Sequence, residues 1–169
     1  MDMIRVVQVA QIAAPFVVGG GIVLGIVQLR EFQRQRRAAA AVELVHSFRN
    51  VEFNKALRII WAIPDSETAT ALRARGTECE EAAILVGTTV EVVGVLVYRR
   101  VVPIEIVDDL MGDAIVGFWP KLRDWVEAMR REQDRESVYE WFQWLVDRLE
   151  TRERRRTRGA HSLFSEWQP

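Results

Sequence analysis

A chain of 169 residues with a single cysteine, Cys79, has no internal disulfide framework and suits a reducing compartment. The 140 residues from position 30 onward suffice for one domain with a real hydrophobic core. The formal charge of −1 is unevenly placed: residues 30–37 carry four Arg and one Glu, residues 38–151 carry 13 basic and 20 acidic groups, and residues 152–158 carry five Arg and one Glu, so an acidic body lies between two basic segments.

The first predicted element is a membrane span. Val6 to Leu29 holds no charged side chain over 24 residues. As a helix it measures about 36 Å, enough to cross a hydrocarbon core of about 30 Å. A cleavable signal has a basic leader and a shorter apolar core. Here the leader, Met1-Asp2-Met3-Ile4-Arg5, has no net charge, and the basic cluster Arg30, Arg34, Arg36 and Arg37 follows the apolar run. Positive charge stays on the cytoplasmic side. The expected arrangement is an uncleaved single-pass anchor in the inner membrane, N-terminus out, with the body cytoplasmic. Gly21-Ile22-Val23-Leu24-Gly25 puts Gly21 and Gly25 on one helix face, where two backbones can approach closely. Gln8, Gln11 and Gln28 can hydrogen-bond across a helix interface, and Pro15 is expected to kink the span.

The body reads as helices throughout. Arg30 to about Phe48 continues the first helix, with Ala38 to Ala41 and then Val42, Val45 and Phe48 at helical spacing. Asn50 is the expected N-cap of a helix from Val51 to Ile63, which Pro64 stops. Asp65 or Ser66 is expected to cap a short helix ending at Gly76. Thr77-Glu78-Cys79-Glu80 has the pattern of a capping box and opens a long apolar helix to about Arg100. Pro103 suits the first position of a short helix to about Met111. Asp113 is expected to cap the next, kinked at Pro120 and ending near Arg131. The last helix is expected from about Asp134, with Val138, Phe142, Leu145 and Leu149 as its apolar stripe and Trp141 and Trp144 flanking it.

Ala82 to Tyr98 is an apolar run broken by one charge, Glu91, and two readings fit it. A carboxylate at mid-span costs about 2.5–3.5 kcal/mol on insertion scales. Gly87, Thr88, Thr89 and Gly94 further weaken the drive into lipid, so the run is read as the central helix of the bundle rather than a second span. A carboxylate there has to be neutralised or paired. Glu91 is therefore the candidate buried charge, with Arg58, Arg99 or Arg123 as possible partners. Arg152 to Arg158, followed by Leu163, Phe164 and Trp167, form a basic and aromatic tail that is either a solvated helix end or an interfacial segment.

No catalytic, cofactor-binding or metal-binding residue is assigned. Glu43-Leu44-Val45-His46 is a lone Glu-x-x-His, whereas carboxylate-bridged metal bundles need two. There is no phosphate loop and no nucleophile elbow in the sequence. Cys79 lies near a helix start, a place that can lower a thiol pKa, but no partner His or Asn is evident and it is read as a small packing residue. Asp108, Asp109 and Asp113 read as an acidic surface cluster. The acidity of the body opposes nucleic-acid binding.

The order of these features carries a resemblance. An N-terminal span precedes Ala41-Val42-Glu43-Leu44 and then Asn50-Val51-Glu52-Phe53. Val90 to Val97 and Val102 to Leu110 follow, then Trp119 and Tyr139-Glu140-Trp141-Phe142-Gln143-Trp144-Leu145. This succession, roughly residues 8 to 149, resembles a family of uncharacterised bacterial membrane-anchored helical proteins, one of the domain-of-unknown-function families. The resemblance implies a single anchor and a cytoplasmic helical domain, and no known activity. The expected organisation is an all-α protein: a transmembrane anchor over 1–29, a helical bundle over 30–151 and a tail over 152–169. The expected role is a non-enzymatic interaction or scaffold protein at the inner membrane face. It contacts the lipid bilayer and either forms a homo-oligomer or holds a heterologous membrane or cytoplasmic partner. The alternatives are a pore-type subunit lined by Gln8 and Gln11, or an enzyme built from Glu91, His46 and the Asp108/Asp109 pair.

Overall fold

The computed structural model describes residues 50–153, together with Gln28, Phe48, Ser165, Glu166 and Gln168. The expected span with Gly21 and Gly25, the basic residues Arg30, Arg34, Arg36 and Arg37, His46, and the tail beyond position 153 apart from those isolated positions lie outside the described residues. The chain divides into two units, Met1–Ala40 and Ala41–Pro169, and the body belongs to the second. That body is all-α among the described residues: α1 Val51–Trp61, α2 Ala69–Ala74, α3 Thr77–Tyr98, α4 Ile104–Glu132 and α5 Glu140–Glu153.

Helix α1 begins as the sequence predicts. Asn50 is extended, and its Oδ1 accepts the Glu52 N–H at 2.9 Å, which satisfies one of the orphan amides of the first turn. Phe53, Ala56 and Ile60 are its buried stripe. The helix ends at Trp61, earlier than Pro64 requires, because Ile63 turns inward and is buried. Asp65 and Ser66 do not cap α2. Asp65 pairs with Lys121 at 2.9 Å, and the Ser66 N–H donates to the Pro120 carbonyl at 2.7 Å. The cap falls to Thr68, whose Oγ1 accepts the Ala71 N–H at 3.2 Å.

The expected capping box of α3 does not form. Gly76 holds the cap position at φ 103, a conformation that side chains oppose, and no side chain caps there. Thr77 is already helical, and Glu80 turns away to Arg73 and Trp125. Helix α3 is long and apolar enough to cross a membrane by length and composition. In this body it packs against α1 on one side and α5 on another, with weaker contacts to α2 and α4. Ala82, Ala83, Val86, Val90 and Val93 are buried there, while Ile84, Leu85 and Val92 on its outer face are exposed.

The two helices expected between Pro103 and Arg131 are one, α4. No break occurs at Asp113, and Pro120 sits inside the helix without ending it. A proline ring removes one ladder bond. At that level the turn after α1 docks onto α4, with Lys121 Nζ donating to the Ile63 carbonyl at 2.7 Å. The last helix starts at Glu140 rather than near Asp134, because residues 133–139 form a turn held by Arg130. Its Nε donates to the Val138 carbonyl at 2.9 Å and its Nη1 to Gln143 Oε1 at 2.9 Å. Phe142, Leu145, Val146 and Leu149 then close the core with Phe118, Leu122 and Trp125 of α4.

Two helix ends use a left-handed residue that is not glycine. At the end of α3 the Val101 N–H donates to the Leu96 carbonyl at 2.9 Å, which leaves Arg100 at φ 57. At the end of α4 the Arg135 N–H donates to the Arg130 carbonyl at 3.0 Å, which leaves Asp134 at φ 47. This motif favours glycine at the left-handed position. Arg100→Gly should therefore raise stability by about 0.5–1 kcal/mol, seen as a higher urea midpoint with unchanged slope. Asp134→Gly should gain less, since aspartate tolerates this region better.

Candidate functional site

Glu91, the candidate buried charge, sits half-buried on α3 where α5 begins. Its Oε2 accepts the Phe142 N–H at 2.7 Å, and the Trp141 N–H also bonds to the carboxylate. The partners are thus backbone amides rather than Arg58, Arg99 or Arg123. The geometry follows from the start of α5. The residue before it is Tyr139, at φ 54, which has no short side-chain acceptor to cap the helix. Four amides in the first turn need acceptors. The Glu140 N–H finds the Ser137 carbonyl at 3.4 Å, the Gln143 N–H finds the Tyr139 carbonyl at 3.3 Å, and Glu91 takes the two between them. Glu91 is a helix cap supplied from another helix, and its negative charge also complements the helix dipole. Burial pushes its carboxyl above the ordinary carboxylate value, while the two amides pull the other way.

The remaining acidic candidates are not brought to this place. Asp108 accepts from Arg152 Nε at 3.4 Å, and Arg152 also reaches Glu105 at 3.1 Å. Arg152 and Phe142 are ten residues apart on α5, about 15 Å along a helix. Glu91 and Asp108 are therefore anchored at different levels. Cys79 is buried, and burial pushes its thiol up, outweighing the Arg75 charge that lowers it. It sits as the small packing residue that the sequence indicates. Among the described residues no group of three or more His, Cys, Asp or Glu could hold a metal ion.

A cleft of about 410 Å³ lies between α2 and α4, lined by Thr68, Thr70, Arg73, Asp124, Glu127 and Arg131, among others. Arg73 forks onto Glu132 at 2.6 and 2.8 Å and reaches Glu80 at 3.0 Å, and Trp125 Nε1 donates to Glu80 at 3.4 Å. These hydrogen bonds hold Arg73 well above its ordinary range and Glu132 below it. One guanidinium shared by two carboxylates ties α2 to α3 and α4. That arrangement fixes the cleft wall.

An aromatic and basic cluster occupies the end of the body where α3 finishes. The Tyr98 ring lies 4.5 Å from Trp141 and 6.0 Å from Trp144, and the two tryptophans are 5.9 Å apart. Arg148 lies over the Trp144 ring at 5.6 Å. The sequence signal was the spacing of Trp141, Trp144 and Arg148 along one helix face, but their convergence with Tyr98 needs the α3–α5 packing. The other tryptophans differ. Trp125 is fully buried, and Trp61 is half-exposed against Phe118.

Residues 15–149 match the family described as Domain of unknown function (DUF4760). No curated protein and no solved structure matches the chain.

Proposed function

We propose, from the premise that the chain belongs to the DUF4760 family, that it is a membrane-anchored, non-enzymatic helical interaction or scaffold protein. The span over Val6–Leu29 anchors it as a single pass in the inner membrane with the N-terminus out. Residues 30–151 form the cytoplasmic helical domain, and residues 152–169 form the tail. The observation that carries this reading is the charge order: 24 residues without a charge, a neutral leader before them and Arg30, Arg34, Arg36 and Arg37 after them. The Gly21/Gly25 face joins copies of the span or meets the span of a heterologous partner.

The body supports this reading in a second way. Its prominent charged side chains serve the fold: Glu91 caps α5, Arg152 joins α5 to α4, and Arg73 ties α2 to α3 and α4. Glu91 is also committed to α5, which favours a bundle position for α3 over a second span.

The test is the mass of the full-length chain in mild detergent beside that of residues 30–169, both by light scattering. Self-assembly through the span predicts an oligomer for the first and a monomer for the second, and Gly21→Ile should return the first to a monomer. Two monomers would leave a heterologous partner and end the pore alternative. Release of the full-length chain from membranes by alkaline carbonate, without detergent, would sink the anchor itself.

A further inference from the structure

The α3 end of the body presents three exposed arginines, Arg99, Arg100 and Arg148, while Glu105 and Asp108 at the same end are engaged by Arg152. Arg99 and Arg100 follow Tyr98 directly, both are exposed, and neither they nor Arg148 pair with a carboxylate among the described residues. Tyr98 is 53% exposed and Val101 42% exposed, so an aromatic ring and an aliphatic side chain stand beside these guanidinium groups. Trp141 and Trp144 back them with amphipathic surface. Arg152, in the last turn of α5, is fixed to Glu105 and Asp108 at the start of α4, next to the α3–α4 turn.

We infer that this end of the body is a docking surface for anionic phospholipid headgroups. Arginines near such a surface are attracted electrostatically, each changing partitioning by roughly fivefold. Tyrosine and tryptophan rings settle at the headgroup level, with apolar body inward and polar edge in water. Glu105, Asp109 and Asp147 lie at this end too, so the contact is set by the exposed arginines together with the aromatic rings: the α3–α4 turn and the face of α5 bearing Trp144 and Arg148 meet the lipid. The inference rests on the anchored reading only in that the anchor keeps the body close to a bilayer. It adds a second, reversible contact that depends on lipid charge.

The experiment uses the full chain in nanodiscs of phosphatidylcholine, with and without phosphatidylglycerol, and reads amide hydrogen exchange. Amides of residues 99–102 and 144–149 should exchange about tenfold more slowly in the anionic discs. The triple variant R99Q/R100Q/R148Q should lose that protection, and R99K/R100K/R148K should keep it, which separates charge from folding. Equal exchange in both discs overturns the inference. Anchoring is read separately, as retention on both kinds of disc in high salt. If retention fails, low-salt binding replaces it: dependence on phosphatidylglycerol supports the surface, and indifference to it overturns it. Equal protection by an oligonucleotide without lipid would reassign the patch to nucleic acid and also overturn it.

Discussion

Gly94→Val should be the most damaging single substitution in the body, lowering its stability by about 3 kcal/mol or more. A Cβ at position 94 would press on the backbone carbonyl of Trp141, whose carbon would lie 2.8 Å away and whose own Cβ would lie 2.9 Å away. The obstacle is the main chain of α5 at its first turn, so relief requires the two helices to separate. Separation would also pull the Phe142 amide from Glu91 and disturb Tyr98 and Trp141. Total stabilities of domains this size run at about 5–15 kcal/mol, so the variant should be largely unfolded near the urea concentration at which the parent is intact. Gly117→Ala is the control. Its new methyl would meet only the rim of Trp61, 2.6 Å away, and that half-exposed ring, packed on Phe118, is a side-chain end that can yield where a main chain cannot. Removing a helical glycine gains about 1 kcal/mol of propensity, so this change should be close to neutral. Similar losses for both would show that α3 and α5 are not held as closely as the geometry requires.

The same glycines show what was legible in the chain. Gly87 and Gly94 lie seven residues apart and so share a face of α3. From sequence they read only as a weakening of the apolar drive into lipid. Their meaning, close approach of Tyr139 and of the α5 backbone, depends on a partner some fifty positions away. Local signals fared according to how local their physics was. Asn50 caps α1 as read, because the cap and its amide are two residues apart. The capping box at Thr77 failed because Glu80 had a better offer from Arg73 and Trp125, which no local window contains. Asp113 was read as a boundary between two helices, yet α4 runs through it, and Pro120 lies inside that helix. The turn after α1 docks at that level, with the Ser66 N–H on the Pro120 carbonyl and Lys121 on the Ile63 carbonyl. Glu91 was read as a charge needing an arginine partner, whereas it accepts from backbone N–H groups of α5. The partner was missed because the sequence placed the start of α5 at Asp134, a good cap, whereas the real start follows Tyr139, a poor one.

That misplaced start leads to the second large effect. Glu91→Leu should cost about 2–4 kcal/mol, since it leaves two amides at the start of α5 without an acceptor in a half-buried place. Glu91→Gln should cost about 1 kcal/mol, because its neutral carbonyl still accepts one of them. The two variants also separate cap from charge through their pH dependence. Burial raises the Glu91 carboxyl above its ordinary 4.5, so the folded protein holds this proton more firmly than the unfolded chain does. Stability from this site is then fully present below pH 4.5 and is lost as pH rises through the higher folded value. Glu140 nearby adds to the rise and Arg130 opposes it, without changing its sign. Lowering the pH from neutral toward 5 should therefore narrow the gap between wild type and unfolding less than other carboxylates would dictate, and Glu91→Gln should lose that local gain. Thermal unfolding of the pair across this range measures the difference directly. If wild type and Glu91→Gln run parallel with pH while Glu91→Leu remains strongly destabilised, the residue acts through its hydrogen bonds alone. If Glu91→Leu is as stable as wild type, the amides of Trp141 and Phe142 find other acceptors, and the cap from α3 is not what holds the start of α5.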